Sequence, residues 1–471
     1  MSDALTRDAP ASGDTAVIKA LRKIRMPKKQ RNRELVLVLF ALLISAAAVY
    51  IVQMATSGTL DAQYFGLLGG TALLVIVLHI VLRWRAPNAD PFVVPIATLL
   101  TGIGIAEIYR IDLHWLSVGE MSPGWDQNSI KQIVWLIISL VATLAVVLLL
   151  RNYRLLYRYT YIFGLAGILL LLLPFIPFLS ADGNAQVWVS IAGVFSFQPG
   201  EIAKICLAIF FAGYLVRTRE SLVSVGHRFL GLTWPRAREL GPLLVLWFVS
   251  MGIIVIQRDL GTGLLMFGMF VAMLYVATGK TSWVVIGLLL AGGGAFLASR
   301  VLPYVGHRFN NWLNAFDQGV IDQENGSFQL VQGIFGLGQG GLVGTGLGQG
   351  RPYLTPLAQS DYIIPSLGEE LGLVGLFALL CLYMVFISRG LRIGLTGQDD
   401  FGKLLATGLA FTLALQVFIM VGGVTRVIPL TGLTTPFLAS GGSSLVANWI
   451  IVGLLLRVSD AVRSQPRVVI G

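Results

Sequence analysis

Charged residues are scarce in this chain, so each acid or base beside an apolar run is a candidate for chemistry. Asp361 lies between Ser360 and Tyr362, immediately ahead of an apolar stretch. Two roles are open to an acid in that place. It can cap the helix that follows, favoured by the positive end of the helix dipole, or it can act as a general base on a hydroxyl that reaches the membrane surface. Glu201 and Lys204 are spaced i, i+3 and therefore share a helix face, as an ion pair or as part of a polar site. Glu369 and Glu370 lie two turns beyond Asp361, where acids are costly and face protein or a cavity. Gly336 to Gly350 forms a glycine-rich run whose backbone N–H groups could cradle phosphates or simply make turns.

Other chemistries lack their residues. No GxxxxGK[ST] is present: Gly279-Lys280-Thr281 has the right ending, but Leu274 occupies the place of the first glycine. There is no HExxH, no Cys/His cluster and no GxSxG elbow. Cys206 and Cys381 both sit in apolar runs, which argues against a disulfide framework.

The elements that must position these residues are membrane spans. Of 471 residues, 55% are hydrophobic and only 12% charged, about half the charge of a soluble domain. Mean hydropathy is +0.78. A soluble enzyme, a disordered chain and a collagen-like repeat are all excluded. Apolar runs of spanning length predict twelve helices, near 35–56, 63–84, 91–112, 129–150, 156–179, 199–217, 240–257, 259–278, 281–300, 363–388, 403–424 and 437–457. The fold class is therefore all-α and polytopic. With the N-terminus inside, 26 of the 34 Lys and Arg fall on the inner side, the asymmetry expected for cytoplasmic termini. The net charge of +10 is then mostly a topology signal, and the basic tail needs no nucleic-acid partner. The polar stretch 301–362, between helices 9 and 10, is expected as a long extracytoplasmic loop.

These residues resemble one family. Trp188-Val-Ser-Ile-Ala-Gly-Val-Phe-Ser-Phe-Gln198-Pro-Gly-Glu201-Ile-Ala-Lys204 is similar to its W-I-x-x-x-G-x-x-x-Q-P-S-E-x-x-K motif. Asp259-Leu-Gly261-Thr262, Gly344-Thr-Gly346-Leu-Gly348-Gln-Gly350, Ser360-Asp361-Tyr-Ile-Ile, Gly368-Glu369-Glu370-Leu-Gly372 and Pro436-Phe-Leu-Ala-Ser440-Gly441-Gly442-Ser443-Ser444 follow in family order. The family is SEDS (RodA/FtsW/SpoVE), the membrane peptidoglycan glycosyltransferases. Departures are Gly200 for serine, Arg258 for proline, Leu357-Ala358 for Pro-Glu, Ser360 for threonine and Ser440 for tyrosine.

The resemblance implies a division into a basic tail (1–34), two additional helices (35–90), a ten-helix core (91–457, with the loop 301–362) and a short C-terminal tail (458–471). The two extra helices and the stretch around Arg426 resemble an actinobacterial, elongation-type branch. It further implies polymerisation of lipid II at the outer face of the bacterial cytoplasmic membrane, with undecaprenyl diphosphate as leaving group and Asp361 as the matching essential acid. Lys204, Glu201, Arg258, Arg308, Arg351, Arg426, Gln198 and Ser443 are then expected to bind substrate. A divalent cation (Mg or Mn) could assist, although no ligand set specifies one. A class B penicillin-binding protein, a transpeptidase, is the expected partner. A lipid II flippase and a non-catalytic scaffold for the transpeptidase are the rival readings.

Overall fold

The computed structural model describes residues 30–176, 187–191, 195–224, 226–229, 232–235 and 237–464, with the short pair Ile24–Arg25 and Arg467–Val468. Most of the basic tail and the end of the fifth predicted span (177–179) therefore lie outside the described residues.

Twelve apolar helices follow the predicted spans. They are α1 (Arg31–Thr56), α2 (Ala62–Arg85), α3 (Val93–Ser117), α4 (Asn128–Leu149), α5 (Thr160–Leu172), α6 (Pro199–Ser224), α7 (Ala237–Ile256), α8 (Leu260–Thr278) and α9 (Ser282–Val301), then, after the predicted loop, α12 (Ile363–Thr396), α13 (Asp400–Val424) and α14 (Gly442–Ser464). Among the described residues ten are long and apolar enough to cross a bilayer; the apolar parts of α5 and α7 are shorter. The predicted loop is itself folded, into α10 (Pro303–Leu313), a four-residue helix at Gln318–Ile321 and α11 (Phe328–Gly340). Its glycines and amides hid this from hydropathy, because α10 and α11 are held by packing against the bundle rather than by composition.

Burial sorts the helices. The apolar windows of α3 and α6 are 83% buried while that of α9 is 6% buried, so α3, α6, α13 and α14 form the core and α9 faces lipid. The additional helices are fastened to the core through polar contacts: Gln53 Nε2 donates to Tyr109 Oη at 3.1 Å, and Tyr64 stacks on Tyr109 with ring centroids 3.8 Å apart. Acids start several helices. Asp61 accepts from Gln63 N and Tyr64 N, Asp259 from Thr262 N, and Asp399 from Gly402 N, each satisfying backbone donors that lack an intrahelical partner. At the opposite end from Asp361, Arg457 donates to the carbonyls of Leu150 and Arg85 at 2.6 and 2.5 Å, and to Arg151 O. Arg457 there closes helix ends.

The all-α expectation holds, with three short antiparallel strand pairs beside the helices among the described residues. One matters for the site: Val189–Ile191 pairs with Phe195–Phe197, Val189 opposite Phe197, and delivers the chain to Gln198 at the start of α6.

Candidate active site

Asp361 does not cap α12. The N-cap position is Tyr362, which makes no side-chain cap bond, and among the described residues neither carboxylate oxygen of Asp361 receives a protein hydrogen bond. The side chain is partly buried and faces the segment 426–441, which links α13 to α14. A methyl group placed on Gly432 would lie 3.9 Å from Asp361 Oδ2. Burial pushes the carboxyl up from its ordinary range to about 6, and the Arg308 guanidinium pulls against that rise.

Arg308 comes from α10, the helix that hydropathy missed. Its Nη1 donates to Leu430 O and Thr431 O at 3.2 and 2.7 Å, and its charge acts on both Asp259 and Asp361. It thereby ties the 426–441 segment to the acid. Asp259 has its oxygens engaged by Thr262 N (3.0 Å) and Gln198 Nε2 (3.1 Å). Gln198 N donates in turn to Ser443 Oγ at 2.8 Å. Glu201 and Lys204 form the ion pair that their spacing permits, at 2.5 Å, and both are buried. Lys204 Nζ also donates to Gln416 Oε1 at 3.2 Å, and Gln416 Nε2 to Thr434 O at 2.8 Å. One connected polar network thus runs from α6 and α8 through α13 to the strand of chain opposite Asp361. Leu357 and Phe437, which flank this region, hold φ of 55° and 66°. Such backbone costs about 1–3 kcal/mol per residue and persists where surrounding structure enforces it.

The expected site residues thus divide. Gln198, Glu201, Lys204 and Ser443 belong to this network, while Arg308 and Asp361 lie against its 426–441 end, Arg308 through Leu430 O and Thr431 O. Arg258 is exposed beside it, with its guanidinium 6.0 Å from the Tyr304 ring centroid. Arg426 is engaged elsewhere: it donates to Trp312 O and Leu313 O, both at 2.8 Å, and closes the C-terminal end of α10. Arg351 lines a different cavity.

The glycine-rich run does not form a phosphate cradle, because its amides repair a broken helix. Within α12, Gly372 leaves helical geometry at φ 68° and ψ −174°. Thr345 N and Gly346 N donate to Glu369 O and Glu370 O at 3.0 and 2.9 Å, while Leu373 N and Val374 N donate to Gly341 O and Leu342 O at 2.9 and 3.1 Å. Irregular backbone in a membrane protein requires this internal satisfaction. The two backbones approach so closely that a Cβ on Gly372 would lie 2.3 Å from Gly344 N. Side chains reinforce the joint: Gly348 N donates to Glu370 Oε2 (2.8 Å), and Arg110 of α3 donates to Glu370 Oε1 (3.2 Å) and Gly350 O (2.7 Å). Arg110 was legible only as a charge near a helix end; its partner is 260 residues away in sequence.

Residues 91–464 match the model of the RodA/FtsW/SpoVE family, described as "Cell cycle protein". The chain belongs to this SEDS family. It is 44% identical over 445 residues to a Mycobacterium tuberculosis protein named peptidoglycan glycosyltransferase RodA, covering 93% of this chain and 92% of that one. That likeness extends through most of the chain, including residues ahead of the family match. Two solved structures share its fold at 22% identity. One is a chain from a study of how a peptidoglycan synthase complex coordinates polymerisation and crosslinking, with a TM-score of 0.60, covering 79% of this chain and 98% of that one. The other is Thermus thermophilus rod shape determining protein RodA, with a TM-score of 0.54, covering 80% of this chain and 98% of that one.

Proposed function

We propose that this chain is a peptidoglycan glycosyltransferase that polymerises lipid II at the outer face of the cytoplasmic membrane, for cell elongation and shape, with Asp361 as the general base. The observation that carries the reading is a carboxylate free of protein hydrogen bonds among the described residues, facing a structured segment beside a half-buried arginine. A carboxyl held near 6 is mostly ionised at neutral pH yet more basic than a solvated aspartate. The 4-hydroxyl of the acceptor GlcNAc gives its proton to Asp361, and its oxygen bonds to the anomeric carbon of the lipid-linked MurNAc. The bond from that carbon to the diphosphate oxygen breaks, and undecaprenyl diphosphate leaves. Arg308, whose Nε and Nη2 have no protein hydrogen bond among the described residues, supplies positive charge where the diphosphate develops negative charge. Glu201, Lys204, Gln198 and Ser443 act one step back, positioning the 426–441 segment.

Among the described residues no three His, Cys, Asp or Glu side chains converge on a metal position. The carboxylate nearest Arg308 besides Asp361, that of Asp259, is already engaged on both oxygens. The residues present do not form a cage for Mg or Mn, and no step is derived through one.

The charge asymmetry supports cytoplasmic termini and an extracytoplasmic Asp361. It also supports reading 1–34 and 458–471 as inner tails and 35–90 as an addition to a core starting near 91. A class B penicillin-binding protein is the proposed partner, consistent with the synthase-complex likeness. A non-catalytic scaffold has no need for a partly buried, unpaired acid, whereas a transporter can use one, so the flippase reading is separated by assay. The test is polymerisation of labelled lipid II by the purified protein with its partner. Asp361→Ala should abolish glycan strands while the protein remains folded and partner-bound. Wild-type protein that moves lipid II across liposomes but makes no glycan would overturn the enzyme reading.

A further inference from the structure

A second cavity, of about 550 Å³, opens between α11 and the glycine-rich run, away from the Arg308–Asp259 network. This volume is within the range of small-molecule sites, roughly 300–1,000 Å³. α11 presents Gln332, Phe335, Gly336 and Gln339 to it, an i, i+3, i+4, i+7 face. Gln349 and Arg351 close the other wall, and Glu369 of α12 backs it. The three glutamine side chains have no hydrogen-bond partner among the described residues. The Phe335 ring is 59% exposed at the rim. Glu369 Oε1 accepts from Arg351 N at 2.6 Å. A Cβ on Gly336 would come within 3.3 Å of Glu369 Oε2, so the glycine keeps that oxygen reachable.

We infer that this cavity is a carbohydrate subsite that holds the uncharged sugar rings of a glycan. Three free amides each offer a donor pair and an acceptor, matching hydroxyl and acetamido groups. An exposed aromatic face suits the C–H side of a pyranose. One arginine opposed by one glutamate leaves no net charge, which disfavours a diphosphate and separates this site from the Arg308 region. Glu369 stands eight residues beyond Asp361, about 12 Å along a helix axis, which is the span a glycan would bridge between the two sites. The inference rests on the proposed glycan polymerisation.

The test uses the full chain in detergent and a lipid-free, phosphate-free tetrasaccharide of alternating GlcNAc and MurNAc, its lactyl carboxyls amidated, as probe, with binding read by saturation-transfer NMR and titration. The double variant Gln339→Ala/Gln349→Ala should bind it about tenfold more weakly, the loss expected from two modest hydrogen bonds, and should make shorter strands from lipid II. Phe335→Ala removes an exposed ring without touching the core, and should weaken binding in the same direction. Asp361→Asn should bind the tetrasaccharide like wild type while making no polymer, which separates failure of the subsite from failure of the polymerase reading. Unchanged tetrasaccharide affinity in both cavity variants overturns the proposal. So does competitive displacement of the probe by inorganic pyrophosphate.

Discussion

Replacing Arg308 by methionine tests the electrostatic coupling at the site. In the wild type Asp361 is held at about 6, with burial raising it and Arg308 lowering it. Methionine keeps most of the aliphatic stem and removes the opposing charge, so the Asp361 carboxyl rises further. An opposite charge at short range shifts a carboxyl by about 1–3 units; taking the low end places the variant near 7. The catalytic form of a general base is the ionised one. At pH 6.5 about 75% of wild-type sites and about 25% of variant sites are then ionised, a threefold deficit, which shrinks to about a tenth of the rate at pH 8. A pH-independent loss is added, because Leu430 O and Thr431 O lose their donor. The assay is the initial rate of lipid II polymerisation from pH 5 to 8.5, with the complex intact throughout. The acid limb should move up by about one unit in Arg308→Met and stay near its wild-type position in Arg308→Lys. A variant whose profile is scaled down without moving, or moves to lower pH, would refute Arg308 as the charge that tunes Asp361.

Asp361→Asn should abolish polymerisation yet stabilise the protein. The folded-state carboxyl, about 6, lies above its unfolded value. The wild type therefore carries a burial penalty of at most about 3 kcal/mol above pH 6, which vanishes below about pH 4, where both states are protonated. Thermal melts in detergent at pH 8 and pH 4 check this, and a stability gain equal at both pH values would contradict it. Gly372→Ala should lose at least about 2 kcal/mol, because the new Cβ meets the Gly344 backbone at a positive φ. Proteolysis of the helix break would report that loss. Arg426→Ala should free the C-terminal end of α10 and lower activity through Arg308, since both residues act on that helix. Hydrogen exchange confined to α10 would show the release, and unchanged exchange there would refute the clamp.

How much was legible beforehand differs between elements. The twelve apolar runs were readable because lipid imposes one requirement, about 20 apolar residues per crossing, that local composition satisfies without tertiary help. Asp361 stood out because an acid beside an apolar run is rare, and its motif context resembled SEDS proteins. α10 and α11 were not readable, because their amphipathic sequences look like polar loop until the bundle supplies a surface. The glycine-rich run looked like a ligand cradle because the sequence does not show which donors are already occupied; the break at Gly372, some thirty residues on, occupies them.

By itself, then, the sequence determined the solvent of this protein, the number of its apolar helices and the acid most suited to chemistry. Those follow from composition and from motifs contiguous in the chain. Only the tertiary structure decided which cations lie beside that acid. Arg308 reaches the site while Arg426 and Arg351 do not, and each outcome depends on carbonyls and carboxylates distant in sequence. The physical reason is that hydrophobicity is a property of each segment, whereas the satisfaction of a buried charge is a property of whatever the fold brings beside it.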